Sequence, residues 1–320
     1  EDFYYTPPTG FKALNTDNLD DPAIALPTAH FNTVLYTGNG SNPRSITGVG
    51  FQPDFHWRKK RNAARSHNLH DAVRGAANFL YSDATAAEVS TDGNGTLSSF
   101  DSDGFTFNSE AGDENTNNSG DTYVAWNWKA GGTAVSNGNG TITSSVSANS
   151  TVGFSIVSYT GQSAAGTVGH GLSQAPEMII LKNRDQGVFW AGYVEALGNT
   201  KSISLNDSGA SYTEKTWNDT SPTSTVFSIG AQSETSSGRF NVAGEKFIAY
   251  CFHSVEGYSK IGTYTGNNST DGTFVYLGFT PAFILLKTYD NTDNWNIYDI
   301  KRNGYNGTGG TYQIRADTNE

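Results

Sequence analysis

The chain predicts an all-β fold of tandem repeated antiparallel β-sandwich modules, jelly-roll-like, with short strands and long turns. Three observations predict it. A short strand-like stretch occurs three times, as Thr33-Val34-Leu35-Tyr36-Thr37-Gly38-Asn39, Ser155-Ile156-Val157-Ser158-Tyr159-Thr160-Gly161 and Lys260-Ile261-Gly262-Thr263-Tyr264-Thr265-Gly266-Asn267. The apolar and β-branched runs are short and bounded by Gly, Asn and Asp, the punctuation of strands. No capped stretch of helical period exceeds roughly ten residues, too short for a helix assignment.

The repeat governs the rest, because self-similarity sets architecture before local propensity does. After each copy of the stretch, a glycine and an apolar residue lead into Pro53, Pro176 or Pro281. An apolar run then ends at Lys59, Lys182 or Lys287, six residues past the proline in all three copies. Two copies carry a closing strand, Tyr123-Val124-Ala125-Trp126-Asn127-Trp128 and Phe247-Ile248-Ala249-Tyr250-Cys251-Phe252. The two match as aromatic, β-branched, Ala, aromatic, small, aromatic.

In chain order, residues 1–30 read as an extended connector. Phe3-Tyr4-Tyr5 reads as the end of a preceding strand, and Thr6-Pro7-Pro8-Thr9-Gly10 breaks structure, since proline fixes φ and lacks the amide donor. Module one spans 31–132. Within it, residues 71–80 read as one helical turn or a loop, while 97–100 and 104–107 alternate like half-buried strands. Residues 133–151 form a Ser/Thr/Asn/Gly linker with one weak strand at 141–146. Module two spans 152–257. A partial third module covers 258–320 and lacks a closing strand, which either lies beyond Glu320 or comes from a neighbouring chain. The chain thus reads as part of a longer polypeptide.

Composition narrows the function classes. Sixteen Tyr, eighteen Phe and six Trp supply core burial that a disordered chain lacks. A net charge of −11 repels phosphate backbones, which argues against general nucleic-acid binding. The single cysteine, Cys251, excludes an intrachain disulfide. No apolar run has membrane-spanning length, and the N-terminus lacks a signal-peptide pattern. Membrane insertion is not expected.

Candidate sites are read against the repeat. His67 and His70 sit near Asp71 and could suggest metal or acid–base chemistry. Eight residues past the shared lysine, however, the copies carry His67, Trp190 and Trp295; eleven past it they carry His70, Tyr193 and Tyr298. The histidines therefore fall in aromatic packing slots. His170 reads as a turn residue, and Asp101-Ser102-Asp103-Gly104 as a turn rather than a calcium loop, because the distal glutamate is missing. No nucleophile elbow, zinc-protease helix, P-loop or dinucleotide fingerprint occurs. The reading is of a non-enzyme without metal or cofactor.

Ligand or interface contacts are assigned instead to Arg58, Lys60, Arg61 and Arg65, a basic run that could meet an acidic neighbour or an anionic glycan. The alternative is a solvated strand edge, where lysine blunts pairing. Trp217 and Tyr212 lie in a polar stretch and are the candidate platforms for sugar rings. Trp190 and Trp295 are assigned to core packing.

The strings Thr6-Pro7-Pro8-Thr9-Gly10-Phe11-Lys12-Ala13-Leu14-Asn15, Val34-Leu35-Tyr36-Thr37-Gly38, Asn127-Trp128-Lys129-Ala130-Gly131-Gly132 and Ser155-Ile156-Val157-Ser158-Tyr159-Thr160-Gly161 resemble a family of repetitive marine bacteriophage proteins. Several of those carry a concanavalin-like or SPRY-type sandwich before the Thr-Pro-Pro-Thr-Gly segment. Arg58 and His70 depart from that pattern, and no catalytic residue carries over. The resemblance implies a virion structural protein, a tail fibre, spike or surface appendage. Its expected partners are other virion subunits, copies of itself and a host surface glycan or protein. A capsid decoration or head-fibre protein, a bacterial surface adhesin or sheath, and a polysaccharide-degrading enzyme are the alternatives.

Overall fold

The computed structural model describes residues 8–9, 22–90, 96–108, 116–235, 239–303 and 313–320. The expected strand end at Phe3-Tyr4-Tyr5 and most of the Thr6–Asn15 string lie outside them. The fold is nearly all β, in several antiparallel sheets.

The first copy contributes β1 (Phe31–Thr37), β2 (Arg44–Thr47), β3 (Phe55–Lys60), β4 (Asn68–Asp71), β5 (Asn78–Tyr81), β6 (Val89–Ser90), β7 (Thr96–Asp101), β8 (Gly104–Asn108) and β9 (Thr122–Trp128). The second contributes β10 (Val135–Asn137), β11 (Ser144–Asn149), β12 (Phe154–Thr160), β13 (Gly166–Gly169), β14 (Met178–Asn183), β15 (Ala191–Val194), β16 (Lys201–Ser202), β17 (Tyr212–Thr213), β18 (Val226–Ile229) and β19 (Lys246–Phe252). The third contributes β20 (Phe283–Leu286), β21 (Asn296–Asp299), the short helix α1 (Ile300–Asn303) and β22 (Ile314–Arg315).

Two six-stranded sheets dominate, ordered β1-β9-β3-β4-β5-β6 and β10-β11-β12-β19-β14-β15. Four strands correspond in both: β1-β9-β3-β4 in the first, β12-β19-β14-β15 in the second. The closing strand thus lies between the opening strand and the strand that follows the proline. Register agrees as well. Trp126 pairs with Thr33 and Trp57, and Tyr250 pairs with Ile156 and Ile180.

Alternation along the closing strand splits its side chains between two cores, since successive residues face opposite sides of a sheet. Val124 and Trp126, like Ile248 and Tyr250, face one large core. It gathers Phe55, Trp57 and Leu69 of the first copy, Ile180, Ile203 and Leu205 of the second, and Ile297, Ile314 and Ala316 of the third. On the other face, Ala125 packs with Phe105 and Phe107 under β2-β8-β7, while Phe247 and Ala249 pack with Phe227 and Ile229 under β13-β18. Burying one such Leu, Ile or Phe stabilises by about 1.5–3 kcal/mol. Because the large core draws side chains from all three copies, its burial holds the copies together.

Several local expectations meet differences. Residues 71–80 end β4, turn, and begin β5 rather than forming a helical turn. The weak strand near 141–146 is β11, starting at Ser144, with only a bridge at Ile142. The basic run is not a sheet edge: β3 lies between β9 and β4, and all six of its residues are buried. The third copy of the opening stretch, 260–267, forms no strand. In the other copies that strand is laddered to the closing strand, and here it has no ladder partner among the described residues.

Candidate functional site

The repeated lysine and the ring eight residues past it lie at the seams between copies. Lys182 Nζ donates to the carbonyl oxygen of Thr85 at 2.9 Å, Lys287 Nζ to that of Ser208 at 3.0 Å, and Lys59 Nζ to that of Asn319 at 3.3 Å. The ring positions behave alike. Trp190 Nε1 donates to the carbonyl of Tyr81 at 2.9 Å, Trp295 Nε1 to that of Ser204 at 2.8 Å, and His67 Nε2 to that of Arg315 at 3.0 Å.

The accepting residues are themselves equivalent. Tyr81 pairs with Asn68 and Arg315 with Asn296 in the two ladders, and Ser204 follows Ile203, which bridges Gly192. Two residues on from each, Asp83, Asn206 and Asp317 take the backbone N–H of His67, Trp190 and Trp295 at 3.1, 2.8 and 3.0 Å. Copy two therefore grips copy one, copy three grips copy two, and copy one grips copy three. The contacts form a closed cycle.

His67 has a fixed tautomer in this cycle. Trp57 Nε1–H donates to its Nδ1 at 2.8 Å, so the proton sits on Nε2, facing Arg315. Burial first, then the charge of Lys59, pushes its pKa well down. His67 stacks on Trp126 with centroids 6.5 Å apart, as an aromatic slot requires. His70 also packs on a ring, Phe79.

A second pair of contacts crosses the seams through the closing strands. Asp71 and Arg74 are ion-paired at 2.5 Å with side chains fully buried. Tyr250 O–H, from copy two, donates to Asp71 Oδ2 at 2.8 Å. Asp299 and Arg302 repeat the pair at 2.5 Å, and Trp126 Nε1–H, from copy one, donates to Asp299 Oδ2 at 3.0 Å. Trp126 and Tyr250 hold the same place in their closing strands. Sequence reading matched Asp71 to Asp299 but missed the arginines, whose shared offset of three from the aspartate was the available signal. Glu88 extends the first pair, bonding Arg74 at 3.1 Å and Arg184 of copy two at 2.7 Å. Burial raises the Glu88 pKa, but bonds from Arg184 and the charge of Arg74 outweigh it and hold it below its ordinary value.

The predicted contact residues are dispersed. Arg58 is fully buried, its guanidinium 4.8 Å above the Phe107 ring, and its nitrogens make no hydrogen bond among the described residues. Lys60 is buried and paired with Asp121 at 2.6 Å. Arg61 is exposed and Arg65 half-buried, with Nη1 donating to the Ala64 carbonyl at 3.1 Å. Trp217 is no surface platform: it is 1% exposed, packs edge-on against Tyr193, and donates to Ser202 Oγ at 2.8 Å. Tyr212 is half-buried and shares a hydrogen bond with Ser204 Oγ. A polar surrounding sequence concealed the burial of Trp217, because its loop folds over the second core.

The most exposed aromatics lie elsewhere, in the third copy, with Phe189 of the second also exposed. Phe274 is 86% exposed and Tyr276 80%, with Tyr264, Val275, Ile284 and Tyr289 also at the surface. A shallow depression of about 440 Å³ on copy two is lined by Ser144, Ser158, Tyr159, Arg184 and Lys246. Among the described residues no three His, Cys, Asp or Glu side chains converge as a metal site would need. No helix among them is long and apolar enough to cross a membrane.

The fold and these seams define a class, an all-β protein whose repeated copies are locked to one another by buried polar contacts. Residues 26–320 match a family described as a domain of unknown function (DUF7483), and the chain belongs to that family. No curated protein and no solved structure matches it.

Proposed function

We propose that this protein is a structural subunit of a bacteriophage virion, a tail fibre, spike or surface appendage that presents adhesive surfaces to a host receptor. Each complete copy is then one sandwich of jelly-roll or concanavalin-like type, and the copies are tandem repeats of it. The observation that carries the reading is the use to which reactive side chains are put. His67, Lys59, Lys182, Asp71 and Arg74 spend their bonding capacity on fixing one copy against the next. Such a chain works through rigidity and display. The resemblance of the repeated strings to phage proteins supplies the setting. The hydroxyl-rich depression carrying Lys246 suits a host glycan, with Arg184 beside it held by Glu88.

Electron microscopy of particles carrying a gold-labelled copy tests this. Label on tails or appendages supports it; label confined to the capsid moves the protein to decoration or head fibre. Label on bacterial envelopes without particles replaces it with an adhesin. Cleavage of host capsule by the purified chain would overturn the structural reading.

A further inference from the structure

The repeat supplies its own comparison for a cluster that the seams leave unused. Four fully buried side chains meet on the inner face of the first copy: His56 and Arg58 of β3, His70 of β4 and Asn127 of β9. His56 pairs with His70 on one side and with Asn127 on the other, so the three share that face. The matching residues of the second copy are Ile179, Leu181, Tyr193 and Cys251, all packed in its apolar core. In the third copy Ile284, Leu286 and Tyr298 hold the first three places. One stretch of core, apolar or tyrosine in its siblings, has become basic and imidazole-bearing in the first copy.

The hydrogen bonds fix what these groups present. Asn127 Nδ2 donates to the carbonyls of Asn32 and Ala125 at 3.2 and 3.1 Å, which turns its Oδ1 toward His56 Nδ1 at 2.8 Å. His70 Nδ1 donates to the Ala76 carbonyl at 2.8 Å. Each imidazole therefore carries its proton on Nδ1 and presents a bare Nε2. Those two Nε2 atoms and all three guanidinium nitrogens of Arg58 are buried and make no hydrogen bond among the described residues. A guanidinium cannot shed its proton, so its buried charge is costly until an anion meets it. Two bare Nε2 atoms alone would suit a metal cation, but the charge of Arg58 repels one. Closure of the site excludes a sugar or any ligand of similar bulk. Charge and closure together select a small anion.

We propose that Arg58, His56 and His70 form an internal site for one small monovalent anion of halide size, held by the guanidinium and, once protonated at Nε2, by the imidazoles. Protonation turns each bare Nε2 into a charge-assisted donor. The proton comes from solvent, and the charge of the anion offsets it. Anion affinity therefore rises as pH falls, and bound anion draws protons onto the pair. Without anion, burial and then the charge of Arg58 oppose protonation of both rings, and Arg74, ion-paired with Asp71, adds to this at His70. The surrounding elements bring few other charges. Phe105 and Phe107 of β8, Leu97 of β7 and Phe79 of β5 carry none. On this side lie half-buried Arg44 of β2, Tyr123 of β9, and Lys60 of β3, which is paired with Asp121. Among the described residues no carboxylate acts on either imidazole. The site is independent of the virion reading above.

The test follows the thermal midpoint of the whole chain while sodium gluconate is exchanged for sodium chloride or bromide at constant ionic strength, at pH 7.5 and pH 5.5. Expected is a saturable rise with either halide, since a ligand of the folded state stabilises it. Half of the rise should be reached at a halide concentration at least about threefold lower at pH 5.5. Crystals grown in bromide should show an anomalous peak within hydrogen-bond reach of the Arg58 guanidinium. Arg58→Leu should lie above the parent in gluconate, and halide should narrow that gap, because the variant no longer responds. The triple variant His56→Ile, Arg58→Leu, His70→Tyr, carrying the second copy's residues, should be equally unresponsive. Arg61→Leu, at an exposed position, should respond like the parent. A parent midpoint indifferent to halide, as when water or a carboxylate of the chain meets Arg58, overturns the proposal. So does a response that persists in Arg58→Leu, or one of equal strength at both pH values.

Discussion

The ammonium of Lys182 reaches across from the second copy to the carbonyl oxygen of Thr85 in the first, 2.9 Å away, while its own residue is fully buried. The carbonyls of Gln186 and Val188 take its other two protons at 3.3 and 2.7 Å. Three donors therefore meet three acceptors. Lys182→Met keeps most of the apolar stem but strips a donor from each carbonyl. Relief of the buried charge offsets part of that loss, so unfolding free energy should fall by about 1–3 kcal/mol in urea titrations.

Burial also pushes Lys182 down to about 7 and, despite the opposing charge of Asp83, Lys59 to about 8. An unfolded lysine titrates near pH 10.4. Between these values the unfolded chain binds more protons than the folded one, so stability rises with pH. Urea midpoints should increase from pH 7 to pH 9, and the slope should be shallower in Lys182→Met. A flat profile in the parent protein would contradict the account.

Acid acts through the histidines. Burial drives His56 down to about 3 and His67 and His70 well below their ordinary value, with Lys59 depressing His67 and Arg58 the other two. All three are neutral when folded and protonate when unfolded below about pH 6.5. Unfolding should therefore take up at least three protons as pH falls from 6.5 toward 5, with His30 and His170, also lowered by burial, adding to them, at a cost of at least about 4 kcal/mol per pH unit at full slope. Asp54, Asp83 and Asp317, raised chiefly by burial, oppose this, because they hold protons in the folded chain at pH values where the unfolded carboxylates are ionised. Calorimetry across pH 5–7 measures the uptake, and His67→Phe should reduce it by one proton.

The Asp71–Arg74 pair separates two kinds of loss. Asp71→Ala leaves the buried Arg74 guanidinium with Glu88 as its remaining carboxylate partner and should cost about 3 kcal/mol. Tyr250→Phe removes one donor to that carboxylate and should cost about 1–2 kcal/mol. Chemical denaturation of the two variants should rank them in that order.

Arg58 offers the opposite sign. Its counterpart, five residues past the repeated proline, is Leu181, buried in the apolar core of the second copy. Arg58→Leu exchanges a fully buried cation that makes no hydrogen bond among the described residues for an aliphatic side chain. The variant is expected to be more stable by about 1–4 kcal/mol, at the cost of the stacking on Phe107. A lower thermal midpoint would show that the guanidinium is compensated.

Much of this was legible in the repeat. The offsets from the shared lysine place His67, Trp190 and Trp295 in one slot, and the structure gives all three the same ring-to-carbonyl bond. Where that bond lands was not legible, since its acceptor belongs to another copy and is fixed by packing across the seam. The basic run misled for a related reason. Strand β3 is covered on both faces, so exposure does not alternate along it and Arg58-Lys59-Lys60 resembles a surface stretch. Residues 260–267 misled in the other direction. Their β-branched and aromatic residues suit a strand, but strand structure needs a neighbour, which local sequence does not supply.

The cycle of seams has a consequence for how such a chain can grow. In an open solenoid the last repeat leaves a face for another. Here the contact of Lys59 with Asn319 joins positions 260 residues apart and returns the third copy to the first. Among the described residues each lysine and each ring of the cycle is taken, so a fourth duplicate would find no free seam in it. Gene elongation would have to begin a fresh rosette, and the number three is written into the clasps themselves.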